Sequence, residues 1–266
     1  RWWNEPGTNL TRAGLEIAGQ RGRLDMASPT RLAPGFDRLP EIFGKGKRDA
    51  IIEPNSIMSL RYERPYFCSQ TLKRRTEQAG YRVEHAEVIY PGVATEQFYG
   101  EVKPASVPLK KLLIVSRLDA ASGVMTALEA VRGVRQGGLA LALNVVGRGD
   151  SDYVSKIRSF AVQHSIPVEF PPVSNVNQEL PGIYRRHDAL LYTAEADEPF
   201  TTVPLQAMAC GVPVIASRSG GVREILRHGE NAFTFAAGDS LELAARIQEM
   251  DSQPALREQM ATTAQA

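Results

Sequence analysis

The 266-residue chain is poor in cysteine: it has two, far apart, and neither has partners at metal-ligand spacing. That excludes a disulfide framework and a cysteine-rich zinc site, so Cys68 and Cys210 read as unpaired thiols of a reducing cytoplasm. Histidine is as sparse. His85, His164, His187 and His228 are scattered without an H-x3-H pair, so no metal site is expected. No apolar run approaches the roughly 18–20 residues that a membrane-spanning helix requires. Charge of one sign is missing too, since 31 Lys and Arg stand against 30 Asp and Glu, a net +1. This removes the global electrostatic argument for a nucleic-acid partner. What remains, 43% apolar and 23% charged residues, is a globular rather than a disordered composition.

Prolines and glycines interrupt residues 1–60 before any period settles, at Pro6-Gly7, Pro29, Pro34-Gly35, Pro40, Gly44, Gly46 and Pro54. Within them Leu10–Ile17 is expected as a short helix and Ala50-Ile51-Ile52 as a buried strand, while Arg1-Trp2-Trp3 looks like an anchor but reads first as core packing. From Tyr66 the pattern sharpens. Tyr66–Ser69 reads as a strand, and Ser69 or Thr71 caps a helix that runs to Gln78 and stops at Ala79-Gly80. Glu87–Tyr90 is a second strand, closed by Pro91-Gly92. Between Tyr99 and Lys111, Pro104, Pro108 and several lysines suit an extended connector, which divides the chain into domains at 1–105 and 106–266.

Beyond the connector, strands and helices alternate regularly. Apolar runs at Leu112–Ser116, Leu139–Val146, Val168–Phe170, Ala189–Tyr192, Pro213–Ala216 and Ala232–Phe235 read as strands. Helical periods fall between or after them at Val124–Val134, Tyr153–His164, Leu180–Arg186, Val203–Ala209, Val222–Leu226 and Leu241–Met250. The fold class is therefore α/β, an open, parallel, doubly wound sheet. Right-handed crossovers bring every strand's C-terminal end to one edge, where ligands of such sheets bind.

That edge carries the candidate chemistry. Arg117 follows the first strand, where a guanidinium can grip a phosphate with two parallel hydrogen bonds. Gly147-Arg148-Gly149-Asp150 follows the second, and its glycines let a ligand approach the backbone. It is not the dinucleotide fingerprint, because Asp152 occupies the third glycine position. After the fourth strand comes Glu198, just before a helix whose free N–H groups, at Thr201 to Val203, form an anion site. Pro204 suits the first turn of that helix, and Gln206 lies about one turn inside. Singly, each has a plainer reading as a surface arginine or a solvated loop acid.

Together they carry a resemblance. Arg117-Leu-Asp, Gly147-Arg-Gly, Glu198-Pro-Phe-Thr-Thr-Val-Pro-Leu-Gln-Ala-Met-Ala-Cys-Gly-Val-Pro-Val-Ile-Ala and Ser219-Gly-Gly-Val-Arg-Glu-Ile resemble the nucleotide-sugar half of family 4 glycosyltransferases, glycosyl transferases group 1. Upstream, Phe67–Arg75 and Val88–Phe98 are similar to the end of that family's first domain. The resemblance implies a GT-B fold, two Rossmann-like domains facing across a cleft, and retaining transfer of a sugar from a nucleoside diphosphate sugar to an acceptor hydroxyl. It implies that no metal or other cofactor is needed, with Arg117 and Glu198 as catalytic residues. Arg117 matches the diphosphate clamp and Glu198 the first acid of the E-x7-E motif, which addresses the sugar. Gly147, Gly149, Phe200, Thr201, Thr202, Val203 and Gln206 fall on donor-binding positions, Gln206 at the ribose. The backbone near Pro172 and Val173 matches the base-binding loop. The implied partners are a nucleotide-sugar donor and a glycan, lipid-linked or small-molecule acceptor, with no nucleic acid. Lys73-Arg74-Arg75 reads first as a solvated helix face; contact with the inner face of a membrane is the use that lipid-linked acceptors imply.

The chain departs from the family's pattern in three places. Ser122 stands where a lysine usually pairs with the arginine, Gln206 replaces the ribose acid, and Thr201 replaces a glycine. The chain starts at Arg1, and residues 1–60 show no apolar strand with a glycine-rich loop. The first domain is therefore expected to be partial or abbreviated, the chain N-terminally incomplete, and Leu256–Ala266 to stop before a long tail helix. Two other readings compete with a transferase: a catalytically degenerate nucleotide-sugar-binding module of the same fold, favoured by Ser122, and a nucleotide-sugar epimerase, which fits the 198–206 block less well.

Overall fold

The computed structural model describes residues 66–78, 83, 85–173 and 175–266, in two compact units divided between Pro91 and Gly92. The features expected at Arg1–Trp3, Leu10–Ile17, Ala50–Ile52 and Ala79-Gly80 lie outside the described residues.

In the first unit β1 (Tyr66–Phe67) pairs in parallel with β2 (Glu87–Val88), and α1 (Gln70–Gln78) lies between them in sequence. Both strands are shorter than expected, although Ile89 N still donates to Phe67 O at 2.9 Å. Ser69 is the cap of α1, its Oγ accepting from Leu72 N at 3.0 Å. Phe67, Leu72, Val83 and Ala86 form a small core. Lys73 of the basic run donates Nζ to Ala86 O at 2.8 Å and is thus spent inside its own unit.

The second unit is one wholly parallel sheet of β3 (Lys111–Val115), β4 (Ala142–Val146), β5 (Val168–Glu169), β6 (Ala189–Tyr192), β7 (Val214–Ser217) and β8 (Phe233–Phe235). The helices are α2 (Val124–Gln136), α3 (Ser151–Gln163), α4 (Val176–Arg185), α5 (Val203–Ala209), α6 (Ser240–Ser252) and α7 (Pro254–Gln265). Successive strand residues point to opposite faces, and both faces are apolar. Leu112, Ile114, Leu143, Val145, Leu191 and Ile215 pack with residues of α2 and α6 in one core. Leu113, Val146, Leu190, Tyr192, Val214 and Ala216 pack with residues of α4 and α5 in the other. The strand order is β5-β4-β3-β6-β7-β8. From β3 the chain moves outward through β4 to β5, then returns to β6 and moves the other way. The switch point therefore lies between β3 and β6, and loops leaving those strands open side by side.

Three elements differ from the sequence expectation. Helix α4 begins at Val176 rather than Leu180, because Asn175 Oδ1 accepts from Gln178 N at 3.3 Å while Glu179 Oε1 accepts from Asn175 N at 2.7 Å. This reciprocal box starts the helix a turn early. The helix expected at Val222–Leu226 is a single 3-10 turn over Gly221–Glu224. Asn231 ends it, donating to Ile225 O at 3.0 Å and accepting from Arg227 N at 2.7 Å, the groups a longer helix would need. The chain's last residues, to which the periodicity assigns no element, form α7.

Helix α7 also explains why the connector belongs to the second unit. Gln265 Nε2 donates to Gly100 O at 2.7 Å, Glu258 Oε2 accepts from Ala105 N at 2.7 Å, and buried Arg257 donates to Ala105 O and Val107 O. Upstream, Phe98 is in the core, edge-on to Tyr184. Proline content suggested an extended connector, and these side chains bind that extended backbone along its length.

Asp188 ties the same connector to the sheet. Its carboxylate accepts from Lys103 Nζ at 2.7 Å and from the amides of Lys110 and Lys111 at 3.0 and 2.8 Å. Burial alone would raise its pKa, but these donors outweigh burial and hold the carboxyl below the usual aspartate value. A depressed folded pKa means stability that is complete above the unfolded value and lost as pH falls through the folded one. Asp188→Asn should cost about 1–3 kcal/mol at pH 7. Urea midpoints measured from pH 7 to 3 should converge for variant and wild type at the acid end; a constant gap would refute the assignment.

Candidate active site

The candidate residues sit at the C-terminal edge of the second sheet, around the switch point. Leaving β3, the chain runs beside the loop that leaves β4. Ser116 N donates to Val146 O at 3.1 Å, Leu118 N to Arg148 O at 3.0 Å, and Asp150 N to Leu118 O at 3.0 Å. Buried Leu118 anchors this ribbon and leaves Arg117 exposed above the edge. A Cβ at Gly147 would lie 1.8 Å from Ser116 O, and one at Gly149 2.0 Å from Leu118 O. The sequence reading gave these glycines to ligand approach. The structure supplies another requirement, the close passage of protein backbone that carries Arg117.

From β6, the loop 193–202 leads into α5. Its backbone is held by the segment after β7: Ser217 Oγ donates to Ala194 O at 2.7 Å, Gly220 N to Asp197 Oδ1 at 2.8 Å, and Gly221 N to Glu198 O at 2.9 Å. Gly220 has φ +59°, and a Cβ there would lie 2.3 Å from Glu198 O. The Ser219-Gly220-Gly221 motif therefore acts on Glu198, 22 residues back in sequence (220 less 198). The half-buried Glu198 side chain reaches across the switch point, with Oε1 3.3 Å from Arg117 Nη2. Its other oxygen, Oε2, lies 3.5 Å from the hydroxyl of Tyr192, the last residue of β6.

The remaining donor-side candidates lie on the same edge. Phe200, Thr201 and Thr202 are half-buried on the loop, and Val203 opens α5, with its N–H 3.4 Å from Thr201 Oγ1. Gln206 is one turn inside α5, as expected, but its amide is already engaged. Tyr184 OH donates to Gln206 Oε1 at 3.0 Å, and Gln206 Nε2 lies 3.5 Å from Thr202 Oγ1. Burial pushes the Tyr184 hydroxyl pKa far up, so it stays a proton donor. Val173, after β5, meets the β4 loop through Arg148 Nη2, 3.5 Å from Val173 O. Ser122 is buried in the 3-10 turn Ala120–Ser122; its Oγ donates to Asp119 O at 2.6 Å and its carbonyl accepts from Thr193 Oγ1 at 2.9 Å. Its hydroxyl proton is thus directed into its own loop.

Sequence reasoning missed Tyr184 and Tyr192. The available signal was chemical, since a tyrosine in an aliphatic strand or on a core helix face must find a partner for its hydroxyl. A cavity of about 540 Å³ lined by Gln97, Asn175, Gln178, Pro181 and Arg185 opens beside α4 and contains none of the switch-point residues. Among the described residues no three His, Cys, Asp or Glu side chains gather as metal ligands, and no helix is long and apolar enough to cross a membrane.

Known proteins share this arrangement of sequence and fold. Over 190 residues the chain is 25% identical to the putative colanic acid biosynthesis glycosyltransferase WcaL of Salmonella typhimurium, covering 66% of this chain and 44% of that one. Over 193 residues it is 28% identical to the D-inositol 3-phosphate glycosyltransferase of an Arthrobacter species, covering 68% and 45%. The chain thus spans less than half the length of these curated relatives. The crystal structure of Anabaena HepE in complex with UDP-glucose matches with a TM-score of 0.76 at 24% identity, covering 96% of this chain and 70% of that one. The fold is α/β of the GT-B type. The family model for glycosyl transferases group 1 matches residues 100–266, the whole switch-point site included, and the chain belongs to that family.

Proposed function

We propose that this chain is a retaining hexosyltransferase or the donor-binding part of one, moving a sugar from a nucleoside diphosphate sugar to an acceptor hydroxyl. The observation that carries the reading is the meeting of Arg117 and Glu198 at 3.3 Å on the switch point. In transfer, the bond from the sugar's anomeric carbon to the diphosphate breaks and its electron pair leaves on the phosphate oxygen. The acceptor hydroxyl oxygen bonds that carbon on the same face and gives its proton to the departing phosphate. Arg117 stabilises that growing charge with its fork of N–H donors. Glu198 accepts from sugar hydroxyls and Gln206 faces the ribose, while the backbone at Val173 borders the base. Gly147, Gly149 and Phe200 to Val203 complete the donor surface. No metal is used, so the side chains and the amides before α5 carry the electrostatics.

The acceptor is a glycan, a lipid-linked sugar or a small molecule, and the first unit belongs to the acceptor-side domain. The protein works in the cytoplasm, at the inner face of a membrane when its acceptor is lipid-linked. Sugar-transferring relatives and a UDP-glucose-bound structure of the same fold support the donor class.

One observation favours a second reading. Ser122 is buried and donates into its own loop, so no second cation stands on residues 118–123 beside Arg117. A catalytically degenerate nucleotide-sugar-binding module would show the same feature. Titration calorimetry with UDP, GDP and ADP, without and then with magnesium, tests the donor site that both readings share, and sugar transfer separates them. Micromolar binding of one nucleotide, indifferent to magnesium, together with transfer that Glu198→Ala abolishes while binding survives, is expected of the enzyme. A folded chain that binds a nucleotide but transfers no sugar from its conjugates would favour the degenerate module, and one that binds none of the three would overturn both readings.

A further inference from the structure

We propose that Tyr192 is a positioning residue that holds the Glu198 carboxylate when Arg117 leaves it for the donor's diphosphate. The inference rests on the reading of Glu198 as the acid that addresses the sugar. Each carboxylate oxygen of Glu198 has one side-chain partner, Arg117 at Oε1 and Tyr192 at Oε2. The two partners differ in kind. The Arg117 side chain is 64% exposed and has a better ligand in a diphosphate, whereas Tyr192 is 5% exposed and fixed at the end of a central strand.

The phenol is placed by its buried surroundings. Ser217 Oγ donates to Ala194 O and lies 3.0 Å from Ser219 Oγ, and both serines are fully buried. They hold the backbone that follows Tyr192, whose hydroxyl donates toward Glu198 Oε2. Burial, with Glu198 next, drives the Tyr192 pKa far above the ordinary tyrosine value, so the hydroxyl never becomes a competing anion. At 3.5 Å the contact is long, and such hydrogen bonds often tighten around substrate. As a donor draws Arg117 away from Oε1, Tyr192 is the hydroxyl left on the carboxylate, and it keeps Oε1 turned toward the sugar.

Tyr192→Phe keeps the ring and removes only the hydroxyl. The experiment titrates wild type and variant with UDP, GDP and ADP and with their glucose, galactose, mannose and N-acetylglucosamine conjugates. For the conjugate that wild type binds more tightly than its bare diphosphate, Tyr192→Phe should raise the Kd by about three- to thirtyfold. The bare diphosphate should bind within about twofold of wild type. The same pair of titrations in a Glu198→Gln background should show the Tyr192→Phe effect shrink to near unity, because coupled residues do not add. An undiminished effect there, an equal loss for diphosphate and conjugate, or no effect in wild type would each overturn the inference. A wild-type chain that binds no conjugate more tightly than its bare diphosphate refutes the role of Glu198 itself, and the inference with it.

Discussion

Arg117→Ala should weaken binding of the bare nucleoside diphosphate by about ten- to a hundredfold, the value of a charge-assisted hydrogen bond lost from a complex. The loss should be confined to ligand binding. Arg117 is the exposed partner of its ion pair with Glu198, and pairs near the surface contribute roughly 0–1 kcal/mol to stability. Thermal melting of the variant should therefore stay near wild type. Ser122 makes the expected effect large. Its hydroxyl donates to Asp119 O, so the 118–123 loop supplies no second cation to take over the phosphate charge. Arg117→Lys should fall between the two, because an ammonium keeps the charge but not the planar fork. Calorimetry with the tightest-binding diphosphate measures all three chains. An Arg117→Ala chain that binds as tightly as wild type would remove Arg117 from the site.

The largest stability effect is expected at Gly123. Its φ is +68°, and a Cβ there would lie 1.9 Å from Thr193 O and 2.8 Å from Thr193 C. Left-handed backbone in a non-glycine residue costs on the order of 1–3 kcal/mol, and overpacking adds a similar amount. Neither neighbour yields easily, since Thr193 is bonded to Ser122 O and Glu195 N to Ala121 O. Gly123→Ala should thus destabilise by about 2–5 kcal/mol and lower Tm by about 5–15 °C, followed by circular dichroism. Gly133 in α2 is the control. A Cβ there meets nothing within 4 Å, so Gly133→Ala should gain about 0.5–1 kcal/mol from helix propensity. Equal melting of the two variants would show that crowding at Gly123 is not what fixes the loop.

The parallel sheet was legible because its strands are apolar on both faces. Ala189–Tyr192 was read to the residue, and α5 likewise, since Pro204 and Cys210-Gly211 mark its ends. Boundaries slipped where side chains act on the backbone locally. Asn175 with Glu179 starts α4 early, and Asn231 cuts the turn after Gly220-Gly221 to one. The connector was legible as extended backbone from its prolines. What it lies on was not, because Arg257, Glu258 and Gln265, some 150 residues later, decide that.

The order of motifs along the chain identified the family and nominated Arg117, Glu198 and Gln206, because residue type and spacing are properties of the sequence itself. Which of them meet is set by strand adjacency. Arg117 and Glu198 are 81 residues apart, and they touch because β3 and β6 are neighbours while β4 and β5 turn away. Hydrophobic periodicity says that a strand is buried, not beside which strand, so that contact belonged to the tertiary structure. The same holds for the tyrosines. Each looks in sequence like one more core residue, and only the packed sheet carries Tyr184 to Gln206 and Tyr192 to Glu198. Burying a phenol costs free energy unless its hydroxyl finds a partner, and here the partners found are side chains of the candidate active site.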